Sequence, residues 1–223
     1  MKTRINIQFL TTKERLPEAE KKLLLKTIKK HADKAGSVLG IPLVNITAYP
    51  NPGFVIPETG EGGYAMSKDW LHIYIDPTKS KKELDKIIEN IIPSTIYHEI
   101  NHTARWKYTG YGTNLLEAMV TEGLATVFAE EQWEKFKAPW AKFSEKEINN
   151  LLSIFKKRKK TDDASYNHSE WFYGTGKLLR WIGYKIGSHV VRSFRDKNKN
   201  IKWEEIVKMK AEKIIKMSGI DLE

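Results

Sequence analysis

Two histidines four residues apart, in His98-Glu99-Ile100-Asn101-His102, constrain this chain more than any other feature. Side chains at that spacing stand one above the other on an α-helix, so the segment must be helical for both imidazoles to reach a single ion. Glu99 is turned about 100° from His98, which sets its carboxylate beside such an ion and not on it. A base must stand there to take a proton from water held by the metal. The apolar stretch Ile91-Ile92-Pro93-Ser94-Thr95-Ile96-Tyr97 leads into the motif with a proline suited to a first helical turn, and the helix is expected to continue to Trp106.

A third ligand is expected on a second helix, Asn114 to Glu131, starting near Thr113/Asn114 with Leu115, Met119, Ala125 and Phe128 as its buried residues. In that helix Glu122 has Ala118, Met119, Ala125 and Thr126 three or four positions away, a small and mostly apolar surrounding. Burying a lone carboxylate there is costly, and binding a cation removes the cost. Glu117 is the rival ligand, about 140° around the helix and among more polar neighbours. The chain has no cysteine, so a thiolate site and a disulfide framework are both excluded. Two imidazoles and one carboxylate then leave zinc an open position for water, and Zn2+ is the expected cofactor. His98, His102 and Glu122 as ligands with Glu99 as general base predict hydrolysis, and a peptide or protein as substrate. The alternative is a non-enzymatic zinc-containing peptide-binding module, which has no need of a carboxylate at Glu99.

Taken together, Thr121-Glu122-Gly123-Leu124-Ala125 and the histidine pair resemble the gluzincin metallopeptidases. Within that clan the chain is similar to the small bacterial predicted zinc-dependent proteases of YjaZ type. Those show a His-Glu-x-x-His helix, a Leu-x-Glu-Ala-Met-Val-x-Glu-Gly-Leu-Ala helix and a Gly-Tyr-x-x-Gly helix, the last present here as Gly183-Tyr184-Lys185-Ile186-Gly187. The likeness spans about residues 62 to 192. It implies a zincin-like fold and, as the group that stabilises the oxyanion, Tyr184, with Tyr173 and His189 in reserve. The alternative for Tyr184 is a core tyrosine on an aromatic helix near Trp181. Two departures limit what carries over. Thermolysin-like enzymes have an aspartate where this chain has Thr126, so the outer partner of His98 is unassigned. Aminopeptidases hold the substrate amine with an acid in a strand whose nearest counterpart here, Gly62-Gly63-Tyr64-Ala65-Met66, has none.

The fold expected is α+β: a small, mostly antiparallel N-terminal sheet with helices, the active-site helix pair, and a helical C-terminal lobe. Strands are expected at the N-terminus, at 43–49 and at 70–76, with a helix from Leu16 to Leu39 and a loop from Pro50 to Gly63. Gly62 to Met66 is the candidate for an edge strand that pairs with an extended peptide, its glycines allowing close backbone approach. Gly63, Tyr64 and Ala65 are its expected substrate-binding residues, and a plain hairpin loop is the equal alternative. His72 reads as a sheet-surface residue. After Ser80 the chain is expected to be helical, with segments at 80–90, 144–155, 176–195 and 203–217 and a connector at 156–169. Residues 1–155 would form the zincin-like lobe and 156–223 the helical lobe, or the whole could be one domain with a cleft.

Net charge is +10, with a dense block at Lys156-Lys157-Arg158-Lys159-Lys160. No aromatic is interleaved there to stack a base, so a solvated connector is expected and nucleic acid is not an expected partner. The first ten residues alternate like a strand and do not resemble a signal peptide, and no run of about 18 apolar residues occurs. No membrane span and a cytoplasmic location follow as expectations; oligomeric state is not legible.

Overall fold

The computed structural model describes residues 3–110, 114–162 and 165–222, with no account of the side chains of 160–162. The protein is α+β, a four-stranded sheet with eight α-helices among the described residues. It divides into two compact units, residues 1–107 with 128–136 and residues 108–127 with 137–223. The expected helix start near Thr113 lies outside the described residues.

In the first unit, β1 (Arg4–Phe9), β2 (Leu43–Pro50), β3 (Glu61–Ser67) and β4 (Trp70–Ile75) form one sheet in the order β1-β2-β4-β3. The expectation of mostly antiparallel pairing is corrected. β1 with β2 and β2 with β4 are parallel, and only β3 with β4 is antiparallel. Alternation of apolar and polar residues reports which face a side chain takes but not the direction of the neighbouring strand. Direction comes from the connections: β1 and β2 are joined through α1 (Glu18–Leu39), the crossover a parallel pair needs, while β3 and β4 are joined by two residues. α1 ends at Gly40, whose φ of 67° is a left-handed helix stop. Its buried residues Leu24, Ile28, Ala32, Ala35 and Leu39 follow helical spacing and pack with Val44, Ile46, Leu71 and Ile73 as the core of this unit.

β3 is an edge strand, and part of the stretch expected to be loop belongs to it. Next, α2 (Lys81–Lys86) opens with the expected cap: Ser80 accepts from the Glu83 amide, and Glu83 accepts from the Ser80 amide. A π-helical turn at Ile87–Ile91 carries the chain into α3 (Ile92–Thr109). Pro93 has no N–H to give to the carbonyl four residues back, and the wide turn absorbs the defect, with the Ile92 amide bonding Ile87 O. The proline therefore marks the first turn of α3, as its position in the sequence predicts.

α4 (Leu115–Gln132) is buried on all sides from Ala118 to Ala129, consistent with its almost unbroken apolar composition. Asn114 caps it, accepting from the Glu117 amide at 2.9 Å. In the second unit, α5 (Glu145–Asp162) starts at the expected Ser144 cap but runs past residue 155, through the basic block read as a connector. Lysine and arginine are good helix formers, and here they also have partners. Lys156 pairs with Asp221, Arg158 forks onto Glu170 at 2.9 and 3.4 Å, and Lys159 donates to Leu222 O at 3.2 Å.

α6 (Ile182–Lys197) begins six residues later than expected, after a glycine-containing turn in which Gly174 and Trp181 both have positive φ. The helix expected at 203–217 is two, α7 (Trp203–Ile206) and α8 (Ala211–Ser218), because the chain is extended at Lys210. α6 is central to this unit, burying Ile182, Ile186, Val190, Val191 and Phe194. No described helix is long and apolar enough to cross a membrane.

Candidate metal centre

α3 exposes its motif face only in part: His98 is half-buried, while Glu99 and His102 are 6 % and 3 % exposed. The helix is anchored by Tyr97, fully buried, whose hydroxyl lies 3.2 Å from His31 Nδ1 and whose ring meets Phe128 edge-on at 5.9 Å. Burial, with Lys30 and Lys34 nearby, lowers the His31 pKa to about 4, so its imidazole is neutral around neutral pH. The Nε2 atoms of His98 and His102 face each other at 3.0 Å. Two imidazoles converging through the same nitrogen are placed as two ligands of one cation would be.

One ligand atom each from His98, His102 and Glu122 lie within 4.8 Å of one another, the one such group among the described residues. Glu122 is 1 % exposed, and the cost of burying its carboxylate is one that a bound cation would offset. The donor set fits zinc: two imidazole nitrogens and one carboxylate, with no thiolate in the chain to close the shell. The rival Glu117 has another occupation. Its Oε1 accepts from the Ala211 amide at 2.8 Å, satisfying one of the free N–H groups at the start of α8.

β3 comes closer to α3 than any residue with a side chain would allow. A Cβ at Gly63 would lie 2.6 Å from Glu99 Cγ, 2.7 Å from Glu99 Oε1 and 2.7 Å from Thr95 Cγ2. Gly63 and the buried Ala65 share the face toward α3, whereas Tyr64 points the other way, 51 % exposed and paired across the strands with His72. His72 lies in an aromatic cluster with Tyr49, Trp70 and Tyr74 on that outer face, a sheet-surface position as expected.

Glu61 belongs to no motif and escapes a reading of the sequence alone. It takes the same face as Gly63, is 1 % exposed, and accepts from Thr95 Oγ1 at 2.6 Å. Burial pushes its pKa up, against the opposing hydrogen bonds of Thr95 and Thr59 and the nearby His98 imidazole. A signal for it exists: an acid immediately before two glycines, in phase with Gly63 and Ala65, but one position outside the stretch 62–66 that lacks an acid.

In the second unit, the glycines of the two remaining motifs meet. A Cβ at Gly187 would fall 1.9 Å from Met119 O, and one at Gly123 would fall 2.3 Å from Gly187 O. α6 thus crosses α4 in backbone contact at the residue following Glu122. Tyr184 is one turn before Gly187, its ring edge-on to Phe172 at 5.2 Å and tilted to Trp140 at 6.2 Å. Gly183 makes room for Phe172, since a Cβ there would sit 2.6 Å from its ring. Of the reserves, Tyr173 is 52 % exposed, and His189 stands edge-on to Phe143 at 5.9 Å with its pKa lowered by burial and by Arg192. Tyr166 comes close enough to Glu122 to feel its charge, although it falls in the stretch expected to be a connector.

Neither curated proteins nor solved structures yield a match to the chain. The family described as Predicted Zn-dependent protease (DUF2268) matches residues 22–216, from within α1 to within α8, and so takes in the histidine pair, Glu122 and the Gly-Tyr-x-x-Gly helix. Over nearly its whole length, then, this chain belongs to the DUF2268 family of predicted Zn-dependent proteases.

Proposed function

We propose that the protein is a zinc peptidase of gluzincin type, hydrolysing peptide bonds with Glu99 as general base. The observation that carries this reading is the convergence of His98, His102 and Glu122, with a carboxylate one residue along the same helix. Those three residues would hold the ion, which when bound lowers the pKa of water toward neutrality and polarises a carbonyl. Glu99 takes the water proton as the carbonyl carbon is attacked and delivers it to the leaving amine. Because position 63 is glycine, β3 lies against α3 without a side chain in the space the Glu99 carboxylate occupies.

An extended substrate lies along Gly63, Tyr64 and Ala65 on the open side of β3, its main-chain hydrogen bonds made at the alternate residues Gly63 and Ala65. Because such pairing uses backbone groups, the outward side chain of Tyr64 does not obstruct it. Tyr184 donates to the developing oxyanion. The relationship to YjaZ-type proteases is part of the same proposal.

Purified protein is expected to contain about one zinc per chain. Glu99→Gln should retain the metal and lose hydrolysis of a peptide library by roughly 10²-fold or more. A metal-free protein, or a Glu99→Gln variant cleaving at the wild-type rate, overturns the reading.

A further inference from the structure

The edge of β3 on which a substrate would pair is short, and both of its ends are marked. At one end the Glu61 carbonyl already accepts the Ile56 amide at 2.8 Å, in an isolated antiparallel bridge. At the other a register shift against β4 between Ala65 and Ser67 interrupts the ladder. Strand residues turn their main-chain groups to the same side at every second position, so Gly63 and Ala65 are the outward-bonding residues between those limits. An extended chain that bonds to both has its register fixed. Its residue opposite Tyr64 then carries its side chain on the same face as the Tyr64 ring, with the two Cβ atoms about 4.5–5.5 Å apart.

That face is aromatic and carries no acid, lysine or arginine. The residues of β3 and β4 that turn to it are Gly62, Tyr64, Met66, Trp70, His72 and Tyr74. His72 stands across from Tyr64 on β4, and burial lowers its pKa, so it adds no charge around neutral pH. Tyr64 and Met66 are both exposed. Phe54, also exposed, stacks on Tyr74 with ring centroids 5.4 Å apart, and its carbonyl oxygen occupies the place a Gly62 side chain would need. The segment that closes the edge at Glu61 thus brings a third apolar side chain to the strand, two positions before Tyr64. Apolar side chains exposed singly are ordinary, whereas a run of them along one strand edge is what an interaction site presents.

Resting on the peptidase reading above and its pairing with β3, we propose that Tyr64, flanked by Phe54 and Met66, is a specificity-determining residue. It selects one large apolar side chain, aromatic or long aliphatic, at the substrate position opposite it. The substrate residues opposite Gly63 and Ala65 turn their side chains to the inner face and do not meet the ring. Selection therefore falls on one position and not on its two neighbours. The contact is made in the bound substrate and in the transition state alike, so it acts on KM more than on kcat.

The test is cleavage of a randomised peptide library by the zinc-loaded full chain, with cut sites read by mass spectrometry. Wild type is expected to favour Phe, Tyr, Leu or Met over Ser or Asp by about fivefold to tenfold in kcat/KM at one position set by the scissile bond. Lysine is well tolerated on edge strands, so Tyr64→Lys should keep its zinc and its unfolding midpoint. It is expected to exchange the apolar preference for Asp or Glu at that same position, with kcat on a good substrate within about threefold of wild type. Trp70→Lys places the same charge on the same face but one strand farther from the edge, and should leave the profile as it is. A flat wild-type profile, an unchanged profile in Tyr64→Lys, or an equal shift in Trp70→Lys overturns the assignment and leaves the peptidase reading standing. So does a wild-type dimer that Tyr64→Lys dissociates in light scattering without altering the profile, since the face is then an interface between two copies. A wild-type protein that cleaves no library peptide overturns both.

Discussion

Two glycine contacts lie near the carboxylates of the candidate site, and they differ in what the glycine is pressed against. At Gly63 the neighbouring atoms are the outer parts of side chains, Glu99 Cγ and Oε1 and Thr95 Cγ2. At Gly187 they are backbone, Met119 O and Gly123 N. A side-chain end can rotate away from an intruding methyl group, but a helix backbone cannot. The first contact therefore constrains chemistry, the second architecture, although both read in sequence simply as a glycine in a motif.

The difference predicts opposite phenotypes from the same mutation. Gly187→Ala should have the largest effect, losing about 3 kcal/mol or more of stability as α4 and α6 are forced apart, seen as a lowered unfolding midpoint in urea. An unfolding midpoint equal to wild type would break the distinction. Gly63→Ala should leave that midpoint near wild type and the zinc content unchanged, while displaced Glu99 lowers kcat by roughly 10-fold to 100-fold. If Gly63→Ala instead unfolds the protein with kcat per folded molecule intact, β3 is an architectural contact too. Smallest is Glu117→Ala, which removes the acceptor for the Ala211 amide and should cost about 1 kcal/mol with zinc retained. Loss of zinc in that variant would return Glu117 to the ligand set.

What is legible in the sequence follows from how far apart the interacting residues are. His98, Glu99 and His102 lie within one turn and a half of helix, so spacing alone fixes their relation, and the buried setting of Glu122 is readable from its helical neighbours. The pairing direction of β2 and β4 is not, because parallel and antiparallel neighbours impose the same alternation on a strand. The role of Glu117 is hidden for a different reason: its partner, the Ala211 amide, is 94 residues away and is created only by the break between α7 and α8. The basic block reads as connector when charge density is weighed without helix propensity.

The π-helical turn at Ile87–Ile91 also sets a phase. Such a turn holds one residue more than an α-helical one and offsets the angular position of everything beyond it by about 100°. α2 and α3 can then bury stripes that do not line up with one another. Removing one residue from 87–91 would rejoin them into an uninterrupted helix in which Pro93 has no tolerated place and the imidazoles face a different quarter of the compass. The direction in which the histidine pair faces is thus set upstream of the motif, by the extra residue in that turn.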